Sequence, residues 1–266
     1  MENKTPLILI SNDDGYRSKG LISLIDMLSD MGQLIVCAPE DARSGFSMAF
    51  TINHHLRLIK RSDLGKARVW SCNGTPVDCV KLALDRLCDN RKPDIVIGGI
   101  NHGDNGSVNS HYSGTMGIVT EGCMKHIPSV AFSLCDHRDD ADFDSLRPFV
   151  RSITSYVLDQ GLPPGVCLNV NFPLPAAEGA QSAAFRGVKV CRMAHGSWNK
   201  EVVERRHPRG YDYYWLIGKY TNEEPEATDT DNYALNHGYV AITPTTIDVT
   251  AHDSIKLLAK VFETNV

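Results

Sequence analysis

The apolar run PLILI at residues 6–10 ends abruptly in the polar stretch SNDDGY. Leu21, Leu24, Ile25 and Leu28 then follow helical spacing, and a second apolar run, QLIVCAP, occupies residues 33–39. A short apolar run bounded by turn residues is how a parallel strand buried on both faces reads, and apolar positions three and four apart mark one face of a helix. Strand, helix, strand is a βαβ unit. The pattern recurs as ARVWS at 67–71, a helix with Val77, Val80, Leu84 and Leu87 on one face, and PDIVIGGI at 93–100. A helix from about Thr115, the run SVAFSL at 129–134, a helix marked by Leu146, Phe149, Val150, Ile153 and Val157, and VCLNVNF at 166–172 complete the alternation. Such alternation predicts the α/β class: a doubly wound, mainly parallel sheet of Rossmann-like form.

Past Pro173 the texture changes. Strand-like runs at VKVCR (from Val188), YYWLIG (from Tyr213) and GYVAITP (from Gly238) are separated by polar, Pro- and Gly-containing stretches. No clear helix is read before the C-terminal LLAKVF, and residues 219–235 read as one long irregular segment, which in a compact protein is functional or packed on a neighbour. The expected organisation is a metal- and phosphate-binding core over residues 1–172 and a β-rich extension with an oligomerisation hairpin and a C-terminal helix over 173–266.

Composition narrows the function. The chain has 266 residues, enough for an ample core, and its 27 Lys+Arg against 32 Asp+Glu give a formal charge of -5 with no basic tract. Duplex nucleic acid as a partner is disfavoured, because its binders carry a basic face. The N-terminal apolar run is too short for a signal peptide or a membrane span, so no membrane association is expected and the predicted location is the cytoplasm. Eight cysteines are scattered without a C-x-x-C pair, which suits buried thiols in a reducing compartment rather than zinc or disulfides.

The chemistry lies in the loops after the strands, which in a parallel sheet share one edge. Asp13 and Asp14 lead: adjacent carboxylates repel unless a cation, a proton or an arginine sits between them, and a divalent metal answers that need. Gly15 lets the chain leave the strand so that both side chains can reach one site. An exposed turn with one aspartate capping the following helix, near Tyr16, satisfies the same residues. Ser44 in APEDARSGFS and Asn101, directly after the strand in GGINHGDNGS, fall on the same edge. Asp, Asp, Ser and Asn offer hard oxygen donors, a set for magnesium, manganese or calcium. Ser113, Gly114 and Thr115 in YSGTMG open a helix, where free N–H groups and hydroxyls suit a phosphate, although plain N-capping explains the same sequence. Asn73-Gly74-Thr75-Pro76 reads as a second helix start with a structural role, and Tyr16, Phe46 and Tyr112 as rim aromatics able to stack on a base.

Taken together, ISNDDG, VCAPEDARSG, NGTPVDCV, PDIVIGGINHGDNG, YSGTMG, LNVNFP, TDTDNYALNHGYVAITP and DVTAH, in that order along nearly the whole chain, closely resemble the survival protein SurE family of metal-dependent nucleoside monophosphate phosphatases. The resemblance implies one divalent ion per subunit, magnesium or manganese with calcium as an occasional occupant, on Asp13, Asp14, Ser44 and Asn101. It implies phosphate binding by Ser113, Gly114 and Thr115, hydrolysis of nucleoside 5′-monophosphates and, as an extension, 3′-monophosphates, and a homodimer or homotetramer with an extended, swapped hairpin. Asp13 and Asp14 are the expected catalytic pair; which of them takes a proton from water, or attacks directly, is left open. Where many members read T-P-L-H-x-D, this chain has Thr243-Pro244-Thr245-Thr246-Ile247-Asp248, so no role of that histidine transfers.

Other classes fit less well. A phosphatase of the haloacid dehalogenase type wants D-x-D, a nicotinamide-dependent dehydrogenase wants G-x-G-x-x-G after the first strand, and SNDDGY supplies neither. A non-catalytic nucleotide or metal sensor shares the sheet and is separated by turnover.

Overall fold

The computed structural model describes residues 5–174 and 185–263. Its strands are β1 (Leu7–Ser11), β2 (Gln33–Pro39), β3 (Leu58–Lys60), β4 (Arg68–Cys72), β5 (Ile95–His102), β6 (Ser129–Leu134), β7 (Val166–Phe172), β8 (Val188–Val190), β9 (Gly196–Asn199), β10 (Val202–Arg206), β11 (Asp212–Leu216), β12 (Lys219–Asn222) and β13 (Val240–Thr246). The helices are α1 (Lys19–Leu28), α2 (Pro76–Arg86), α3 (Gly114–Met124), α4 (Arg147–Gln160), α5 (Asp231–Asn236) and α6 (His252–Phe262).

Nine strands form one sheet in the order β3-β4-β2-β1-β5-β6-β7-β13-β8. The run from β4 to β7 is parallel throughout, while β3 and β13 lie antiparallel to their neighbours β4 and β7. The continuous apolar runs are explained by burial on both faces. Ile8 and Ile10 of β1 join Leu21, Leu24 and Leu28 of α1 and Val150 and Val157 of α4 on one side. Leu7 and Leu9 face Val80 and Ala83 of α2 and Ile118 and Val119 of α3 on the other. Strand order reverses between β1 and β5, which places the crevice of the sheet beside the residues that follow β1.

Beyond the core the structure departs from the sequence reading in specific places. Residues 219–235, expected as an irregular segment, contain β12 and the start of the short helix α5. β13 and β8 join the main sheet, whereas β10 pairs with β11 and β9 with β12 in two small antiparallel ribbons. None of α6 is buried: Ile255, Leu257, Leu258 and Phe262 are all at least half exposed. Among the described residues no helix is long and apolar enough to cross a membrane.

Candidate active site

After Ser11 the chain leaves β1 through Asn12, Asp13, Asp14 and Gly15, and Gly15 takes a φ of +96°, a conformation open to glycine. The Asn12 side-chain amide donates to the Gly15 carbonyl at 3.1 Å and to the Ser18 hydroxyl at 2.7 Å, which folds the loop back on itself. Ser18, not an aspartate, is the N-cap of α1. Both carboxylates are therefore free of the capping task that the sequence left open.

Three other segments meet this loop. The Arg43 amide donates to the Asp13 carbonyl at 2.6 Å, so the segment after β2 runs past the acidic pair one residue before Ser44. The His102 amide donates to Asp14 Oδ2 at 3.1 Å. The Thr115 hydroxyl lies 2.6 Å from Asp13 Oδ1. Gly114 packs so closely on Asp13 that a Cβ there would sit 2.8 Å from the aspartate's Cβ and 2.9 Å from Oδ2, which explains glycine at that position. Asp13, Asp14, Gly114 and Thr115 are thus brought together, with Asn101 adjoining Asp14 through the neighbouring His102 amide and Ser44, exposed on the rim, joined to the pair through the Arg43 backbone.

Asn101 is placed differently from the expectation. It lies inside β5, which runs on through His102 after a shift of register against β6 between Gly98 and Asn101. Its amide nitrogen donates to the Gly103 carbonyl at 2.7 Å, which leaves the side-chain oxygen as the atom that could ligate a metal. Ser113 is the N-cap of α3 and accepts the Met116 N–H at 3.0 Å.

Electrostatics distinguish the two carboxyls. Burial pushes the Asp13 carboxyl up from 3.8 to about 6; hydrogen bonding from Thr115 and Gly114 pulls the other way, and the Asp14 charge adds to the rise. Asp14 is raised as well, mainly by burial, against the stabilising His102 amide. A buried and a partly buried carboxyl, side by side and both with the ionised form disfavoured, form a strong electrostatic demand for a cation. Among the described residues no group of three or more His, Cys, Asp or Glu side chains is placed to hold a metal; a metal site here would have to draw on two carboxylates plus neutral oxygens such as those of Ser44 and Asn101. That oxygen-only set fits a hard divalent ion and not zinc.

Several supporting residues were not singled out by sequence reasoning. Asp78, third residue of α2, closes a capping box with Thr75 and also accepts the Thr51 N–H at 2.9 Å and its hydroxyl at 2.6 Å, which ties down the segment carrying Ser44. Its signal was legible, since Thr-x-x-Asp before an apolar helix face is a capping pattern. Asp231 accepts the Ser107 N–H at 2.7 Å and the Ala194 N–H at 2.9 Å. Asn105 is fixed by Asn171, Asn169 and Ser133 in a buried side-chain network on β6 and β7. Contacts so distant in sequence leave no local signature.

Fold and site define a doubly wound α/β protein with an acidic pair, one member buried, at the carboxyl edge of its sheet, facing a helix N-terminus. The chain belongs to the survival protein SurE family, whose model matches residues 8–200. Its relatives include the 5′-nucleotidase SurE of Phocaeicola vulgatus, 54% identical over 252 residues and covering 95% of each chain. The protein of the same name from Bacteroides thetaiotaomicron is 50% identical, covering 96% of this chain and 95% of its own. Among solved structures, the SurE protein from Aquifex aeolicus matches with a TM-score of 0.80 and 31% identity, over 96% of this chain and 99% of that one.

Proposed function

We propose that this chain is a 5′-nucleotidase, a metal-dependent phosphoric monoester hydrolase that converts nucleoside 5′-monophosphates to nucleoside and inorganic phosphate, with 3′-monophosphates as a second substrate class. The observation that carries the reading is the direct contact between the buried Asp13 of the acidic pair and the N-terminus of α3 through the Thr115–Asp13 hydrogen bond. An electrostatic site for a cation and a cradle for an anion share one edge. The shared name of the relatives supports the nucleotide as substrate.

Asp13, Asp14, Ser44 and Asn101 would hold one divalent ion, magnesium or manganese, with calcium as an alternative occupant. When bound, such an ion supplies neutralisation of phosphate charge and a more acidic water. The residues of the chain do the rest. The start of α3 grips the non-bridging oxygens with backbone N–H groups and the Ser113 hydroxyl, stabilising charge without a lysine. Asp13, buried beside that helix start, is the general base that accepts a proton from the attacking water.

A second copy of this chain is the partner the surface supports. The exposed apolar side chains of α6, and Val202, Tyr214, Trp215 and Leu216 on the β10–β11 ribbon, are too many for a solvated face, and burying them in a homodimer or homotetramer with an exchanged ribbon accounts for them. Eight free cysteines support a reducing compartment, the cytoplasm.

The test is release of inorganic phosphate from AMP and GMP, as 5′- and 3′-monophosphates, with magnesium or manganese. Multiple turnovers that stop on adding EDTA are expected. Stoichiometric nucleotide binding without turnover would make the protein a sensor and overturn the reading.

A further inference from the structure

A hydroxyl carries one proton, and at the start of α3 two hydroxyls compete for the role of phosphate donor. The Thr115 side chain is buried, and its Oγ1 lies 2.6 Å from Asp13 Oδ1. An ionised carboxylate has no proton to give, so in that pair Thr115 donates and its single proton is committed. Ser113 is in the opposite state. Its Oγ accepts the Met116 N–H at 3.0 Å, which uses a lone pair, and among the described residues its own proton has no acceptor.

The same contact fixes Asp13. Thr115 engages Oδ1, and Gly114 lies against Oδ2 with no room for a Cβ between them. The plane of the carboxylate is thereby set from two consecutive residues of one helix start. Groups that orient a metal-binding or proton-accepting carboxylate in this way act through it, and losing them reduces affinity or rate about 10- to 100-fold.

We propose that Thr115 is the positioning residue of Asp13 rather than a phosphate ligand, and that Ser113 supplies the phosphate-binding hydroxyl. The inference rests on the nucleotidase reading for its substrate, and on geometry alone for Thr115.

The experiment compares Thr115→Val, Thr115→Ser and Ser113→Ala with the wild-type chain, using manganese binding by titration calorimetry without nucleotide, kcat and KM for AMP, and thermal melts. Thr115→Val keeps the shape and removes the donor, and is expected to lose about tenfold or more in manganese affinity and about 10- to 100-fold in kcat, with little change in KM. Thr115→Ser should recover both to within about threefold of wild type, since it restores the O–H. Ser113→Ala should instead raise KM for AMP by about tenfold and leave manganese affinity intact. Should Thr115→Val not fold, Thr115→Ala carries the same comparison. A Thr115→Val protein whose KM rises while its manganese affinity and kcat hold overturns the assignment, as does one that matches wild type in all three. A wild-type chain that binds manganese but turns over no nucleotide refutes the nucleotidase reading alone, and the binding arm still decides the role of Thr115.

Discussion

Replacing Asp13 by asparagine should make the metal-free protein more stable while abolishing its turnover. The native carboxyl titrates at about 6 against 3.8 when unperturbed, because burial disfavours its charge. A folded value above the unfolded one means that the native state binds more protons, so stability falls as pH rises from about 4 through 6 and stays reduced above that. At pH 8 the deficit is about 3 kcal/mol, taking 1.36 kcal/mol for each unit between the two values, and it shrinks through pH 5 towards pH 4. The substituted side chain carries no charge, and its amide oxygen can still accept the Thr115 proton. With EDTA present, the variant should therefore melt roughly 5–10 °C above wild type at pH 8, and the gap should close towards pH 4. Saturating manganese should reverse the order by stabilising wild type only, by about 2.7 kcal/mol at a hundredfold excess over the dissociation constant. Differential scanning calorimetry at the three pH values, with and without the ion, reads all of this. A variant that melts at or below wild type at pH 8 in EDTA, or a gap independent of pH, refutes the argument that burial strains Asp13.

Two further outcomes follow from the supports around the site. Asp78→Ala strips the acceptor from three donors, the Thr75 and Thr51 amides and the Thr51 hydroxyl, and should lower stability by about 2–4 kcal/mol in denaturant melts while weakening manganese binding through the loosened Ser44 segment. Leu258→Glu puts a charge into the exposed apolar face of α6 and should shift the proposed homo-oligomer to monomers in sedimentation velocity.

The parallel core was legible because its strands are buried on both faces, which leaves uninterrupted apolar runs that periodicity reads directly; β2 and β6 coincide with the runs read at 33–39 and 129–134. The short partners β3, β9, β10 and β12 were not, since three to five half-exposed residues have neither length nor apolar alternation. α5 was hidden for a related reason, being six residues long in a polar stretch. At the site, Asp13, Asp14 and the α3 start stood out because like charges in sequence and a serine before a helix are local signals. The amide of His102 on Asp14 and the committed proton of Thr115 are not local. They arise from parallel strands arriving at one edge from residues about ninety and a hundred positions away.

Asp231 gives this edge an order of completion during synthesis. A ribosome-bound chain of two hundred residues already contains Asp13, Asp14, Ser44, Asn101 and the start of α3, together with the strands from β1 to β7. It lacks the carboxylate that holds the Ser107 amide, and it lacks β13, which covers β7. The loop after β5 therefore receives its Asp231 anchor only after the strands from β1 to β7 have been made. Chains cut short before Asp231 carry the proposed reactive side chains on an edge that is still unfinished, and the appearance of activity becomes a report that Asp231 has arrived.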